Sequence, residues 1–280
     1  MQIIGNSILA VNGYFFFSFY VFTVKMNIEM RKIFSSGKAT YFVIILISFP
    51  FLINGTTKPV KKIKASVAVA STGKSTFSAA VAEEANLLND SLHLESKGLS
   101  KQTLEYALKG YIYMQQKGLL FKRDILSICD FSQSSKKKRL YIIDVENKKL
   151  VLNTYVAHGK NSGSEYANSF SNNPNSLKSS LGFYVTRSTY FGGHGLSLKI
   201  EGVEKGFNDK ANSRNIVVHG SSYVGDASVR SNSSCGRSFG CPAVSSRESP
   251  VVIDAIKNGS CLFIFHPTKT YLRQSKILNS

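Results

Sequence analysis

The residues best suited to chemistry lie in one short segment, Cys235-Gly-Arg-Ser-Phe-Gly-Cys-Pro-Ala, ending at Ala243. Cys241 stands between Gly240 and Pro242, a pair that suits neither a helix nor a strand interior, so its thiol is expected at a turn and presented rather than packed. A glycine before the thiol would let a substrate carbonyl approach the backbone closely. The proline after it fixes the turn and removes one amide hydrogen. An oxyanion hole here therefore has to draw on the amides of Cys241, Gly240 or Phe239.

A thiol near its ordinary pKa is a poor nucleophile at neutral pH until a base or a cation favours the thiolate. The segment Asn215-Ile-Val-Val-His-Gly offers a base: three apolar residues run into His219, and Gly220 is expected to break the strand and open space beside the ring. Taken alone, His219 reads as a structural histidine at a strand end; a Gly-Cys-Pro downstream makes it the candidate base. The group that orients its imidazole is left open between a backbone carbonyl near Gly220 and the side chain of Ser221. His194, in Phe-Gly-Gly-His-Gly, sits on a flexible turn that could line a substrate groove or face solvent. His158 and His266 read as structural. Cys129 and Cys261 lie in apolar runs and are expected as core thiols. Cys235 is expected to be free, because a disulfide to Cys241 would silence the nucleophile.

These residues need a scaffold, and the hydrophobic pattern outlines one. Residues 76–130 read as a helical segment, with Leu104, Ala107, Leu108, Tyr111, Ile112 and Met114 at three and four spacings, Ser100 and Thr103 at its start and Gly118 at its end. From 131 to 280 the pattern turns to β. Leu140–Val145 and Leu150–Val156 form a hairpin around Glu146-Asn-Lys-Lys. Further strands are expected at Gly182–Thr186, Leu196–Ile200, Ile216–His219 and Leu262–Phe265. Gly, Ser and Asn clusters between them favour an all-β sandwich or barrel over alternating β-α units. The expected fold is thus mainly β, a catalytic domain preceded by a small helical segment.

Composition narrows the setting. The 280-residue chain is 43% hydrophobic with a formal charge of +18, enough for a substantial core and a field that attracts anions. No basic stretch is interleaved with aromatics, so nucleic acid is not an expected partner; Lys136, Lys137, Lys138 and Arg139 read as a solvated linker before a strand. Arg31, Lys32 and Lys38 precede an apolar run from Tyr41 to Phe49, the order of an export signal, followed by small and polar residues that place cleavage near Gly55. Residues 1–55 are therefore read as an export-signal region and 56–75 as a linker; left uncleaved, the signal would anchor the chain in the membrane. A second apolar stretch, Tyr14–Val24, lies where a signal peptide carries nothing, and points to translation starting at Met30 or Met26. Gly73-Lys-Ser-Thr imitates the end of a P-loop, but the required earlier glycine is Ala68.

With these residues in view, the chain resembles the murein L,D-transpeptidase (YkuD-like) catalytic domain. Val218-His219-Gly220 followed by Arg237-Ser-Phe-Gly-Cys-Pro matches its histidine-glycine strand end and Ser/Thr-x-Gly-Cys signature. The likeness extends through Tyr155-Val-Ala-His-Gly, Ser180-Leu-Gly-Phe-Tyr, His194-Gly-Leu-Ser-Leu and Gly206-Phe-Asn-Asp, over about Leu99 to the C-terminus. The resemblance implies a β-rich fold, an exported, envelope-associated location, and a two-step acyl transfer on peptidoglycan stem peptides without cofactor or metal. It carries the nucleophile onto Cys241, the base onto His219, and oxyanion and loop geometry onto Gly240 and Ser238; Gly220, Ser221 and His194 would line the substrate. The commoner signature has arginine two residues after the cysteine, where this chain has Ala243; Arg237 could supply the missing cation, for a stem carboxylate or for the thiol, or serve a structural salt bridge instead.

Three rivals carry their own signals. A zinc hydrolase would draw His158, His194, His219, Cys241 and Asp226 from distant loops without an H-E-x-x-H pair. A non-catalytic protein could use the basic charge to grip a wall polymer. A papain-like protease would need the cysteine before the histidine, the reverse of the order here.

Overall fold

The computed structural model describes residues 74–231 and 234–280. The expectations about the export signal, the start site and the linker fall on residues 1–73, outside the described part, apart from the last two linker positions. Among the described residues no helix is long and apolar enough to cross a membrane.

Two helices lead. Helix α1 (Lys74–Leu92) is followed by a 3-10 turn at Glu95–Lys97 and by α2 (Lys101–Gln116). Ser100 caps α2 as the sequence predicts: its Oγ accepts from the Thr103 amide at 3.1 Å, satisfying one of the orphan donors of the first turn. Gly118 closes the other end at φ 67°, its amide donating to Gln115. The face carrying Leu104, Ala107, Leu108, Tyr111 and Met114 is buried against the sheet. Fully burying a leucine there contributes about 1.5–3 kcal/mol.

Eight strands follow: β1 (Ile125–Asp130), β2 (Leu140–Asp144), β3 (Lys149–Thr154), β4 (Gly182–Gly192), β5 (Gly195–Gly202), β6 (Val217–Ser221), β7 (Ala243–Ser245) and β8 (Cys261–Phe265). They form one mixed sheet in the order β3-β2-β1-β8-β4-β5-β6-β7. The sheet is barrel-like and nearly closed. Ala157, just past β3, donates its amide to Ala243 at the start of β7 at 2.8 Å, which brings the two ends of the order together. Three short helices complete the fold: α3 (Asp226–Ser231), α4 (Ser249–Ile256) and α5 (Lys269–Gln274).

The mainly β architecture with helices in front is as the sequence predicts, with local corrections. Ile125–Asp130 is a strand, not the tail of the helical segment; all six residues are buried, so the run shows no alternation to betray its period. It pairs antiparallel with β2 and parallel with β8 near the middle of the sheet. The basic run divides too. Lys136, Lys137 and Lys138 are exposed, whereas Arg139 is fully buried. Its guanidinium donates to the carbonyls of Val156 and Gln133, lies 2.7 Å from His158 Nδ1 and stacks over Phe131. Cys129 and Cys261 are core thiols, and all four cysteines are free.

Candidate active site

The site forms where β6 and β7 run parallel, with His219 opposite Ala243, Gly220 opposite Val244 and Ser221 opposite Ser245. Continuing that register two residues back sets Cys241 beside Val217, so nucleophile and base candidates lie on adjacent chains at the closing seam. The thiol is half-buried and has two polar neighbours: the Val217 amide donates to Sγ at 3.4 Å, and Sγ lies 3.6 Å from the Asn215 carbonyl. No hydrogen bond joins Sγ to the imidazole of His219 in this structure.

His219 is buried. Its Nδ1 lies 2.9 Å from the Gly220 carbonyl. A carbonyl can only accept, so Nδ1 carries the hydrogen and Nε2 keeps its lone pair. Of the two orienting groups left open by the sequence, the Gly220 carbonyl makes this contact. Ser221 instead hydrogen-bonds Tyr223, a half-buried phenol that has no precedent in the sequence reading. The ring of His194, at the tip of the β4–β5 hairpin, stacks on His219 with centroids 4.2 Å apart and planes at 19°.

The loop before Cys241 is held by Ser238. Its Oγ donates to the Cys241 carbonyl at 2.6 Å and accepts from the Gly240 amide at 3.1 Å, while its own amide donates to the His158 carbonyl. The Gly240 amide is thereby committed, which leaves those of Phe239 and Cys241 among the donors expected for an oxyanion. Gly240 itself has φ 124°, and a Cβ there would come within 2.8 Å of the Lys178 carbonyl and 3.1 Å of Ile216 Cδ1. Protein, rather than substrate, thus occupies the space that this glycine leaves. Gly220 corrects the sequence reading as well. It lies inside β6 rather than ending it, and its bare Cα admits Ser249, whose Oγ would stand 2.5 Å from an added Cβ.

The cation beside the thiol is Arg214, a residue the sequence reading passed over. An added Cβ on Gly240 would meet Arg214 Nη2 at 3.4 Å, and its charge acts on Cys241. Arg214 is fixed by donating to the carbonyls of Ser171 and Lys178, each at 2.8 Å, and to the hydroxyls of Ser176 and Ser180. Arg237 turns elsewhere: its Nη1 donates to the Gly163 carbonyl at 3.0 Å. A neighbouring pattern could have flagged Arg214, since it stands three residues before the strand that carries the candidate base.

Electrostatics oppose a pre-formed ion pair. Burial pushes the Cys241 thiol up, against the lowering pull of the Val217 amide and Arg214. Burial pushes His219 down, the Gly220 carbonyl works the other way, and His194 adds to the lowering. The resting pair is a neutral thiol and a neutral imidazole. Among the described residues no three His, Cys, Asp or Glu side chains converge to hold a metal.

The model of the L,D-transpeptidase catalytic domain family YkuD_2 matches residues 95–265. The chain belongs to that family. No curated protein matches it in sequence. Solved structures similar to the chain include an L,D-transpeptidase from Mycobacterium smegmatis, at 11% identity over 51% of this chain and 59% of that one, with a TM-score of 0.32. L,D-transpeptidase 1 from Mycobacterium tuberculosis is similar at 11% identity over 51% and 62% of the two chains, with a TM-score of 0.28. The helical cell shape determining protein Pgp2 from Campylobacter jejuni is similar at 14% identity over 57% and 55%, with a TM-score of 0.34. The chain spans 55–62% of the length of these three proteins.

Proposed function

We propose that the chain is an envelope-located peptidoglycan L,D-transpeptidase that forms 3-3 cross-links through a thioester on Cys241. The observation that carries the reading is the β6–β7 seam: a half-buried thiol on a Gly-Cys-Pro turn, beside a strand whose histidine is held with Nε2 free to take a proton. In the first step His219 accepts the thiol proton as sulfur attacks the carbonyl between the third residue of a tetrapeptide stem and its terminal D-alanine. The C–N bond breaks, and D-alanine leaves with the proton returned by His219. In the second step an amine of a neighbouring stem attacks the thioester and loses a proton to His219; the C–S bond breaks and the thiol is restored. The amides of Phe239 and Cys241 are suited to receive the oxyanion, and Arg214 favours the thiolate as it forms. The S–H has to turn from the Asn215 carbonyl, 3.6 Å away, to meet Nε2. Catalytic hydrogen bonds often tighten in this way once substrate is bound.

Ser238 and Gly240 act here by shaping the nucleophile turn, and Gly220 by orienting the base, with Ser221 beside it on the same strand. Arg237 would meet the stem. With water as acceptor the same site would be an L,D-carboxypeptidase.

Muropeptide mass spectrometry tests the proposal, comparing wild type with Cys241→Ala on tetrapeptide-rich peptidoglycan fragments. Cysteine-dependent 3-3 dimers are expected. Cysteine-dependent tripeptides alone would establish the carboxypeptidase, and unchanged stems from a folded, reduced protein would leave a wall-binding role.

A further inference from the structure

His194 stands apart from the other site residues because it comes from the tip of the β4–β5 hairpin. Strand β4 runs outward from its buried start, and its second half, through Phe191, is exposed; a two-residue turn of Gly193 and His194 then returns the chain into β5. A Cβ added at Gly193 or Gly195 would touch nothing within 4 Å, and Gly195, at φ 73°, serves backbone freedom rather than close packing. Strand β5 pairs with β6 through Ser197 opposite His219, which lets the hairpin tip fold back onto the base.

We infer that His194 is a positioning residue for the base: its ring, laid face to face on His219, and the Gly220 carbonyl at the ring's edge together fix the imidazole in one plane and one tautomer. The stack covers one face of His219. It also joins two rings that cannot both carry charge at little cost, because like charges in close contact disfavour each other's protonation. The inference rests on the reading of His219 as the base. Within the sheet, His219 is flanked by Ser197 of β5 and Ala243 of β7, neither of which titrates in this range. Among the described residues, the charge that acts on His219 is that of His194, and it disfavours the imidazolium. Hairpin tip and base are therefore coupled: a charge on either ring disfavours a charge on the other.

The test separates the ring from its charge. Histidine-ring nitrogen NMR on the full chain would follow the titration and tautomer of His219 in wild type, His194→Phe and His194→Ala. In His194→Phe the covering ring stays but its charge is gone. The His219 titration should move to higher pH with the Nδ1-H tautomer retained. In His194→Ala, where cover and charge are both lost, it should move further and the tautomers should mix. On muropeptides the acid limb of turnover should shift in the same order. The kcat should fall about tenfold in His194→Ala and much less in His194→Phe, with KM little changed, the pattern of a misplaced catalytic group. An identical His219 titration in all three proteins would overturn the inference, as would a rise in KM alone. If muropeptides are not turned over at all, the proposed activity fails while the order of NMR titrations still decides the role of His194.

Discussion

The Val217 amide points at the sulfur of Cys241 from 3.4 Å, while His219, two residues further along the same strand, makes no hydrogen bond to it. The thiol therefore rests on a backbone donor rather than on the candidate base, neutral and with its pKa held by burial above the ordinary cysteine value. Alkylation of Cys241 by iodoacetamide should accelerate continuously as pH rises past neutrality, without the low-pH plateau of a thiolate–imidazolium pair. A plateau reached below pH 6 would contradict the resting state described. Cys129, Cys235 and Cys261 are buried, and Cys241→Ala gives the background rate.

Arg214 should matter more than Arg237. Its guanidinium lies next to the Cys241 turn and ties together Ser171, Ser176, Lys178 and Ser180, whereas Arg237 is spent on the Gly163 carbonyl. Replacing Arg214 by Met removes a charge that favours the thiolate and leaves two backbone carbonyls without their donors. We expect turnover to fall by about 10–100-fold, the range of a lost electrostatic or positioning group, and the alkylation profile to move to higher pH. Arg237→Ala should change kcat by less than about threefold, on the scale of an exposed side chain's interactions. Steady-state kinetics and the alkylation profile of the two variants decide between them.

That contrast marks what the sequence could and could not convey. The turn at Cys241 and the strand under His219 were legible because glycine, proline and a run of apolar residues constrain the backbone locally, as were the Ser100 cap, the α2 face and most strands. Arg214 was not, since its role depends on Gly240, 26 residues away, coming under its guanidinium. Strand β1 was hidden because residues buried on both faces lose the two-residue alternation, and β7 because three residues cannot establish a period. Arg139 looked like the end of a charge run; what buries it are the Val156 and Gln133 carbonyls, which only tertiary structure brings to it.

His158 predicts an acid weakness in the fold. It is fully buried and held to about 4, first by burial and then by the charge of Arg139. Its folded pKa lies below the unfolded value of 6.5, so the unfolded chain binds more protons between these limits, and stability falls as pH drops from 6.5 towards 4. The loss amounts to about 3 kcal/mol if His158 acts alone. Urea unfolding at pH 7, 5.5 and 4.5 should register it. His158→Asn, which can still accept from Arg139, should flatten the slope over that window; an unchanged slope would place the acid sensitivity elsewhere.

Gly110 predicts a packing weakness. It lies within α2, where glycine costs about 0.5–1 kcal/mol relative to alanine, so alanine ought to stabilise the helix. A Cβ there would stand 1.9 Å from Cζ of Phe183, and that ring cannot retreat because it is stacked on Phe263 with centroids 4.0 Å apart and planes at 6°. Helix and sheet would have to separate, and overpacking of this kind costs about 1–3 kcal/mol. The steric term should prevail, leaving Gly110→Ala less stable than wild type by thermal unfolding. Combining it with Phe183→Leu, which removes the clashing edge, should recover part of the loss relative to Phe183→Leu alone. If Gly110→Ala costs the same in both backgrounds, the contact between α2 and β4 is not what excludes the methyl group.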